Sequence, residues 1–245
     1  MATTITNSVL GFGTLGSMLD DYRGRIGGIG GTRDSRIVQW INQAVQDIAG
    51  VLPDDILLAS FSVPVVSGTT TYDLDSATYL FKDLFPDTVQ VTDASGEVTV
   101  PPYKAYHTWQ PFKVNDDGSA GQMSYYTILP VTSSGRRQIE FYTAPTASYT
   151  VTGSFVYWPG RLTVGQDETA IPLPGPCRYA VELFLDWKAA QFSGRAQGDI
   201  QMAQNTYETK RMELSHQLYR SNLMKFGGVD PGPLPGVIYD YTDLT

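Results

Sequence analysis

Apolar positions recur first at helical spacing. Leu15, Met18, Leu19 and Tyr22 fall on one face of a helix expected over about residues 14–26, with Thr14 as its cap. Residues 1–13 are small, polar and glycine-containing, and read as a loose arm. Gly27, Gly28, Gly30 and Gly31 break the first helix. The second helix carries the clearest stripe: Ile37, Val38, Ile41, Ala44, Val45 and Ile48, with Asp34 or Ser35 as N-cap, Gly50 as its stop and Pro53 beyond.

The period then drops to two. Phe61, Val63 and Val65 alternate with Ser62 and Pro64, and after the turn Ser67-Gly68 a strand is expected over 70–74. Val89 and Val91, then Val98 and Val100, flank the turn Asp93-Ala94-Ser95-Gly96. Residues 101–112 place Tyr103, Tyr106 and Trp109 three apart after two prolines, which reads as a short helix or turn, followed by the loop Asn115-Asp116-Asp117-Gly118. Three more β-rich runs cover 125–129, 138–142 and 149–157. Short strands at regular spacing predict an antiparallel sandwich or barrel.

Helical spacing returns after the bend Ile171-Pro172-Leu173-Pro174-Gly175-Pro176. Cys177, Ala180, Val181, Phe184, Leu185 and Ala189 line one face, and Ser193-Gly194 interrupts it. A longer helix over about 197–223 carries Ile200, Ala203, Tyr207, Leu214 and Leu218 on one side, with Arg211 intruding. Two helices joined this closely form an antiparallel hairpin. The last segment holds Pro231, Pro233 and Pro235 and ends in the apolar run Val237-Ile238-Tyr239-Asp240-Tyr241, an arm suited to docking on another surface.

The expected class is therefore α+β. Helices from both ends form a bundle-like part, the middle is an antiparallel β-sandwich or barrel-like part, and an extended C-terminal arm follows. The expected boundaries are an arm at 1–13, N-terminal helices at 14–55, a β-rich domain at 56–170, a helical hairpin at 171–224 packing with the N-terminal helices, and a docking arm at 225–245.

Composition narrows the function. Of 245 residues, 17 are basic and 25 acidic, a net charge of −8, which is too acidic for bulk attraction to nucleic acid. Charged residues make up only 17% and aromatics 12%, which points to surface covered by other protein. No stretch reaches a membrane-spanning length, and no signal peptide is expected, because residues 1–10 lack a basic segment and an apolar core. One cysteine, Cys177, fits a reducing compartment and forms no disulfide framework.

Candidate chemistry is sparse. His107 and His216 are the only imidazoles and neither sits in a nucleophile motif. The run Gly27-Gly28-Ile29-Gly30-Gly31 lacks the preceding strand and the Gly-Lys-Ser/Thr of a phosphate loop, so it reads as a linker. Asp116-Asp117-Gly118 lacks the spacing of a calcium loop. The carboxylate pairs Asp20-Asp21, Asp54-Asp55 and Asp167-Glu168 are adjacent in sequence and point apart. Tyr125, Tyr126, Tyr157, Trp158 and Trp187 are the candidates for a stacking surface. Arg136 and Arg137 are expected at a hairpin tip, within reach of a tail partner or passing DNA.

The order of parts, with its local patterns, resembles the head–tail adaptor (head completion, upper tail connector) family of short-tailed phages. The resemblance is carried by residues 35–48 with their Ile41-Asn42-Gln43-Ala44 core, by Thr71-Tyr72-Asp73-Leu74, and by Pro102-Tyr103-Lys104-Ala105-Tyr106. Tyr125-Tyr126-Thr127-Ile128, Gln138-Ile139-Glu140-Phe141-Tyr142-Thr143-Ala144-Pro145, Tyr149-Thr150-Val151, Phe155-Val156-Tyr157-Trp158-Pro159 and Ile171-Pro172-Leu173-Pro174 complete it. It spans about residues 14–222; the glycine-rich 27–31 and the tail after Lys225 depart from it.

The resemblance implies a structural virion protein, assembled in the host cytoplasm, with no catalytic residue, metal or cofactor. It implies a ring of about twelve copies that joins portal to tail or nozzle protein and lines the channel for genomic DNA without sequence-specific binding and without a membrane. Docking on the portal or a neighbouring subunit is expected from Val237, Ile238, Tyr239 and Tyr241, and tail or channel contact from Arg136 and Arg137. A carbohydrate- or receptor-binding β-sandwich of a virion is the alternative, and a hydrolase relying on the two histidines is a third.

Overall fold

The protein is described by a computed structural model over residues 4–7, 13–26, 31–74, 79–85, 88–115, 123–131 and 136–225. In chain order the elements are β1 (Thr4–Asn7), α1 (Leu15–Ile26), α2 (Gly31–Ala49), β2 (Leu58–Val65), β3 (Thr71–Asp73), β4 (Tyr79–Leu84), β5 (Gln90–Thr92) and β6 (Val98–Thr99). They continue as α3 (Tyr106–Asn115), β7 (Tyr125–Leu129), β8 (Gln138–Tyr142), β9 (Tyr149–Pro159), α4 (Arg178–Phe192) and α5 (Gln197–Lys225). The chain divides into two compact units: Met1–Val9 with Leu58–Gly160, and Leu10–Leu57 with Arg161–Thr245. The α+β class expected from the sequence is what the chain adopts.

In the helical unit, α1 and α2 bury the faces their spacing predicts: Leu15, Met18, Leu19 and Tyr22, then Ile37, Val38, Ile41, Ala44, Val45 and Ile48. Thr14 caps α1, its Oγ1 accepting the Ser17 amide at 3.3 Å. The expected cap of α2 differs. The helix opens at Gly31, and Asp34 lies inside its first turn, where its carboxylate accepts both Nε and Nη2 of Arg23 at 3.0 and 2.7 Å. A bidentate Arg pair and the helix dipole both favour an acid there. Residues 27–30 lie outside the described residues. The α4–α5 hairpin forms as expected, turning at Gly194, whose φ of +66° suits glycine. Of α5, only Tyr207 and Leu214 are fully buried among the described side chains.

In the β unit, β9 is the spine of a six-stranded antiparallel sheet. It pairs with β2 along one edge, and with β5 and then β4 along the other. Ala59, Phe61, Val63 and Val65 of β2 and Val151, Gly153 and Phe155 of β9 face inward. The second sheet runs β3-β8-β7. Two antiparallel sheets that each bury a face fit the sandwich expectation; among the described strands no pairing closes a barrel.

The structure departs from the sequence expectations at the boundaries. Residues 4–7 belong to no loose arm: they pair with Ala59–Ser62 of β2 in register Thr4↔Ser62 to Asn7↔Ala59. Residues 161–170, expected in the β-rich domain, belong with the helices. Their backbone is the reason: Asp167 O and Thr169 O accept the first free amides of α1, from Gly16 and Leu15, at 2.9 Å each. Strand β4 was not legible, because a register shift between Phe81 and Asp83 scrambles its alternation.

Candidate interaction surfaces

The described residues contain no group of three or more His, Cys, Asp or Glu side chains placed to hold a metal ion. No described helix is long and apolar enough to cross a membrane. Cys177 is fully buried, and burial pushes its thiol up to about 12. His107 is exposed on α3 in the β unit, and His216 is half-buried on α5 in the helical unit. Of the five aromatics proposed as a stacking surface, Tyr126 and Tyr157 are fully buried, while Trp187 belongs to the helical unit. Trp187 stacks on Tyr207 with ring centroids 6.0 Å apart. The Tyr126 and Tyr157 rings therefore stabilise core and offer no face to a ligand.

What the molecule offers is surface for protein contact. In the helical unit, Asp47 of α2 anchors α5: its carboxylate accepts the Tyr207 hydroxyl and, at 2.7 Å, Nη1 of Arg211. Burial first, then the hydrogen bond to Asp47, raises the Tyr207 phenol well above its usual range, so it stays a donor. Lys188 Nζ sits 3.9 Å from the Trp187 ring centroid, and burial lowers its ammonium pKa. With its inward side held this way, α5 turns Gly198, Met202, Asn205, Thr209 and Met212 to the opposite side, where all are exposed. Met202 and Met212 are 67% and 62% exposed, and flexible thioethers suit adaptable contacts. A groove of about 760 Å³ runs between this side and Tyr179 and Leu183 of α4. A second patch joins Trp40 to Phe192 at 6.1 Å, with the Arg36 guanidinium 4.2 Å over the Phe192 ring.

The β unit carries a third surface. Residues 102–104 run beside β7: Tyr126 donates its amide to Pro102 O, and Lys104 donates its own to Tyr126 O at 2.9 Å. Helix α3 is then pinned by one carboxylate. Glu140 accepts Trp109 Nε1 at 2.6 Å and Lys113 Nζ at 2.7 Å. This fixes Tyr103 and Tyr106, 42% and 41% exposed, on the rim of a cleft of about 360 Å³ shared with Phe81, Lys82, Ile128 and Arg137.

The two arginines expected at a hairpin tip part company. Arg136 Nη1 donates to Asp73 Oδ2 at 2.9 Å, while Arg137 lines the cleft and its carbonyl accepts the Leu74 amide. Gln138 Nε2 donates to the other Asp73 oxygen at 2.7 Å; this bond first, and Arg136 after it, hold the Asp73 carboxyl below the usual range. The arm residues Val237, Ile238, Tyr239 and Tyr241 lie outside the described residues.

Sequence reasoning missed Phe81, Lys82, Phe192, Met202 and Met212. The methionines had a visible signal: apolar side chains out of phase with the buried stripe of a polar helix.

No curated protein matches the chain. Among solved structures it is similar to a chain described as "Neck of empty GTA particle computed with C6 symmetry", at 18% identity over 79% of this chain and 84% of that one, with a TM-score of 0.28. The model of the SU10 adaptor protein family matches residues 13–225. That span takes in the Asn42 helix, both sheets and the α4–α5 hairpin, and it bears out the resemblance to phage head–tail adaptors: the chain belongs to the SU10 adaptor protein family.

Proposed function

We propose that this adaptor is a non-enzymatic virion protein that closes into a ring of twelve copies, joins the portal to the tail or nozzle protein, and lines the channel through which the genome passes. Family membership over residues 13–225 carries the proposal. The physical traits support it. Helix α5 holds one side inward through Asp47 and offers the other to a neighbour, and few charges and many aromatics suit extensive subunit contact. A net charge of −8 suits a channel wall that repels phosphate and lets DNA slide. Assembly takes place in the host cytoplasm, and the finished protein resides in the virion neck.

The arm after Lys225 docks on the portal or a neighbouring subunit through Val237, Ile238, Tyr239 and Tyr241, and Arg136 and Arg137 face the tail or channel. Electron microscopy of the purified chain mixed with its portal tests the ring: a twelve-fold collar on the portal is expected, and a protein that stays monomeric and unbound overturns it. In the same assay Arg136→Glu, which lies outside the cleft that Arg137 lines, leaves the collar intact and blocks tail addition; a collar that still takes tails removes the role given to Arg136.

A further inference from the structure

The cleft of the β unit has a chemistry that the ring proposal does not use. Phe81, Tyr103, Tyr106 and Ile128 give it apolar and aromatic walls, and Lys82 and Arg137 bring two cations to its lining. Among the described residues lining it, the acid is Asp83, whose Oδ1 accepts the Leu84 amide at 2.8 Å. Lys82 Nζ lies 5.7 Å from the Trp158 ring centroid, so this corner already stacks cation on aromatic. At about 360 Å³ the cleft has the volume of a small-ligand site, enough for aromatic side chains inserted from a peptide. It fits an extended segment with aromatic residues, an acid close to them and no competing cations.

Residues 226–245 of this chain are such a segment. They contain Asp230, Asp240 and Asp243 and no Lys, Arg or His, and Asp240 stands between Tyr239 and Tyr241. Tyr239 lies fourteen positions beyond Lys225, a reach of about 50 Å at full extension. We infer that the cleft lined by Phe81, Lys82, Tyr103, Tyr106 and Arg137 receives the Tyr239-Asp240-Tyr241 segment of a neighbouring copy, rings against the aromatic walls and carboxylate toward Lys82 and Arg137. The inference rests on the ring reading, because a ring repeats a head-to-tail contact in which one surface of each copy meets a different surface of the next. An arm and a cleft are two such unlike surfaces.

The test uses the full-length chain. Tyr239 is replaced by the photo-crosslinking residue benzoylphenylalanine, and this protein is mixed with an unmodified, isotopically heavy copy and irradiated. Mass spectrometry is expected to find position 239 of the light chain joined to heavy residues within 80–84, 103–106 or 128–137. The double variants K82E/R137E and D240N/D243N each cut that yield at least tenfold. D240N/D243N changes nothing in the cleft, so its effect cannot come from a misfolded β unit. Crosslinks that map elsewhere, that join only like-labelled chains, or that ignore both charge variants overturn the inference. Particle mass on the unirradiated mixture separates the two readings: rings without cleft crosslinks sink the cleft and spare the ring, and cleft crosslinks without rings do the reverse.

Discussion

Asn42 sits in the middle of a helix, where its amide lowers helix propensity and would gain from bonding elsewhere. It finds that bond in the 161–170 segment: Nδ2 donates to Leu162 O, and the Leu162 amide donates to Oδ1, both at 2.8 Å. The side chain thus does what a neighbouring strand would do, and it ties the returning chain to α2. Asn42→Ala leaves a part-buried donor and acceptor pair unmet, and we expect a loss of about 1–3 kcal/mol in a denaturant titration. Asn42→Asp is worse than Ala, because a carboxylate then faces the Leu162 carbonyl. Asp73 supplies a second prediction. Its folded pKa lies below its unfolded value, so its contribution is complete above the ordinary carboxylate range near pH 4 and fades as the pH falls below it. The melting temperature should therefore fall between about pH 5 and pH 2, and Asp73→Asn should flatten part of that slope; an unchanged slope refutes the assignment.

At the scale of elements, β9 decides the β unit, and Gly153 decides how closely β9 lies to β2. A Cβ at position 153 would stand 2.7 Å from two ring carbons of Phe61 and 3.3 Å from Val89. The Phe61 ring covers the glycine across the strand pair Phe61↔Gly153, so the inner face there has no room for a side chain. Gly153→Ala should cost about 1–3 kcal/mol through overpacking. Adding Phe61→Leu should recover part of that loss in a double-mutant cycle, whereas strict additivity of the two changes shows the contact to be unimportant. Helix α2 and strand β2 were legible because each buries one face at a constant period, and β7, β8 and β9 because they are runs rich in β-branched and aromatic residues. Strand β4 lost that period at its bulge, and β1 is four residues with one apolar side chain, so neither stands out from loop.

At the scale of the whole chain, each of the two compact units is held internally by sequence-distant pairs. Thr169 bonds back to Leu15, Asp47 meets Arg211, and β1 returns to β2. Residues 226–245 differ in composition, with glycine and proline at seven of twenty positions. Deleting 227–245 should leave the melting temperature within a degree or two of the full chain while sharply weakening attachment to portal or neighbour, read by co-sedimentation. A truncated protein that assembles normally removes the docking role from the arm.

Local pattern determined much about this protein: the α+β class, the helix faces, most strands, and the absence of familiar catalytic motifs from a chain with two histidines and one cysteine. These are legible because burial repeats at 3.6 or 2 residues, and because missing chemistry shows in composition. Tertiary structure alone decided which polar residues act together. Asn42 with Leu162, Glu140 with Trp109 and Lys113, and Asp47 with Tyr207 and Arg211 are 27 to 164 residues apart in pairs that no period encodes. The cleft of Phe81, Tyr103, Tyr106 and Arg137 is of the same kind. Its residues share a surface only because β4, α3 and the adjoining ends of β7 and β8 are folded onto one another, and side-chain proximity across separate elements depends on the packed chain.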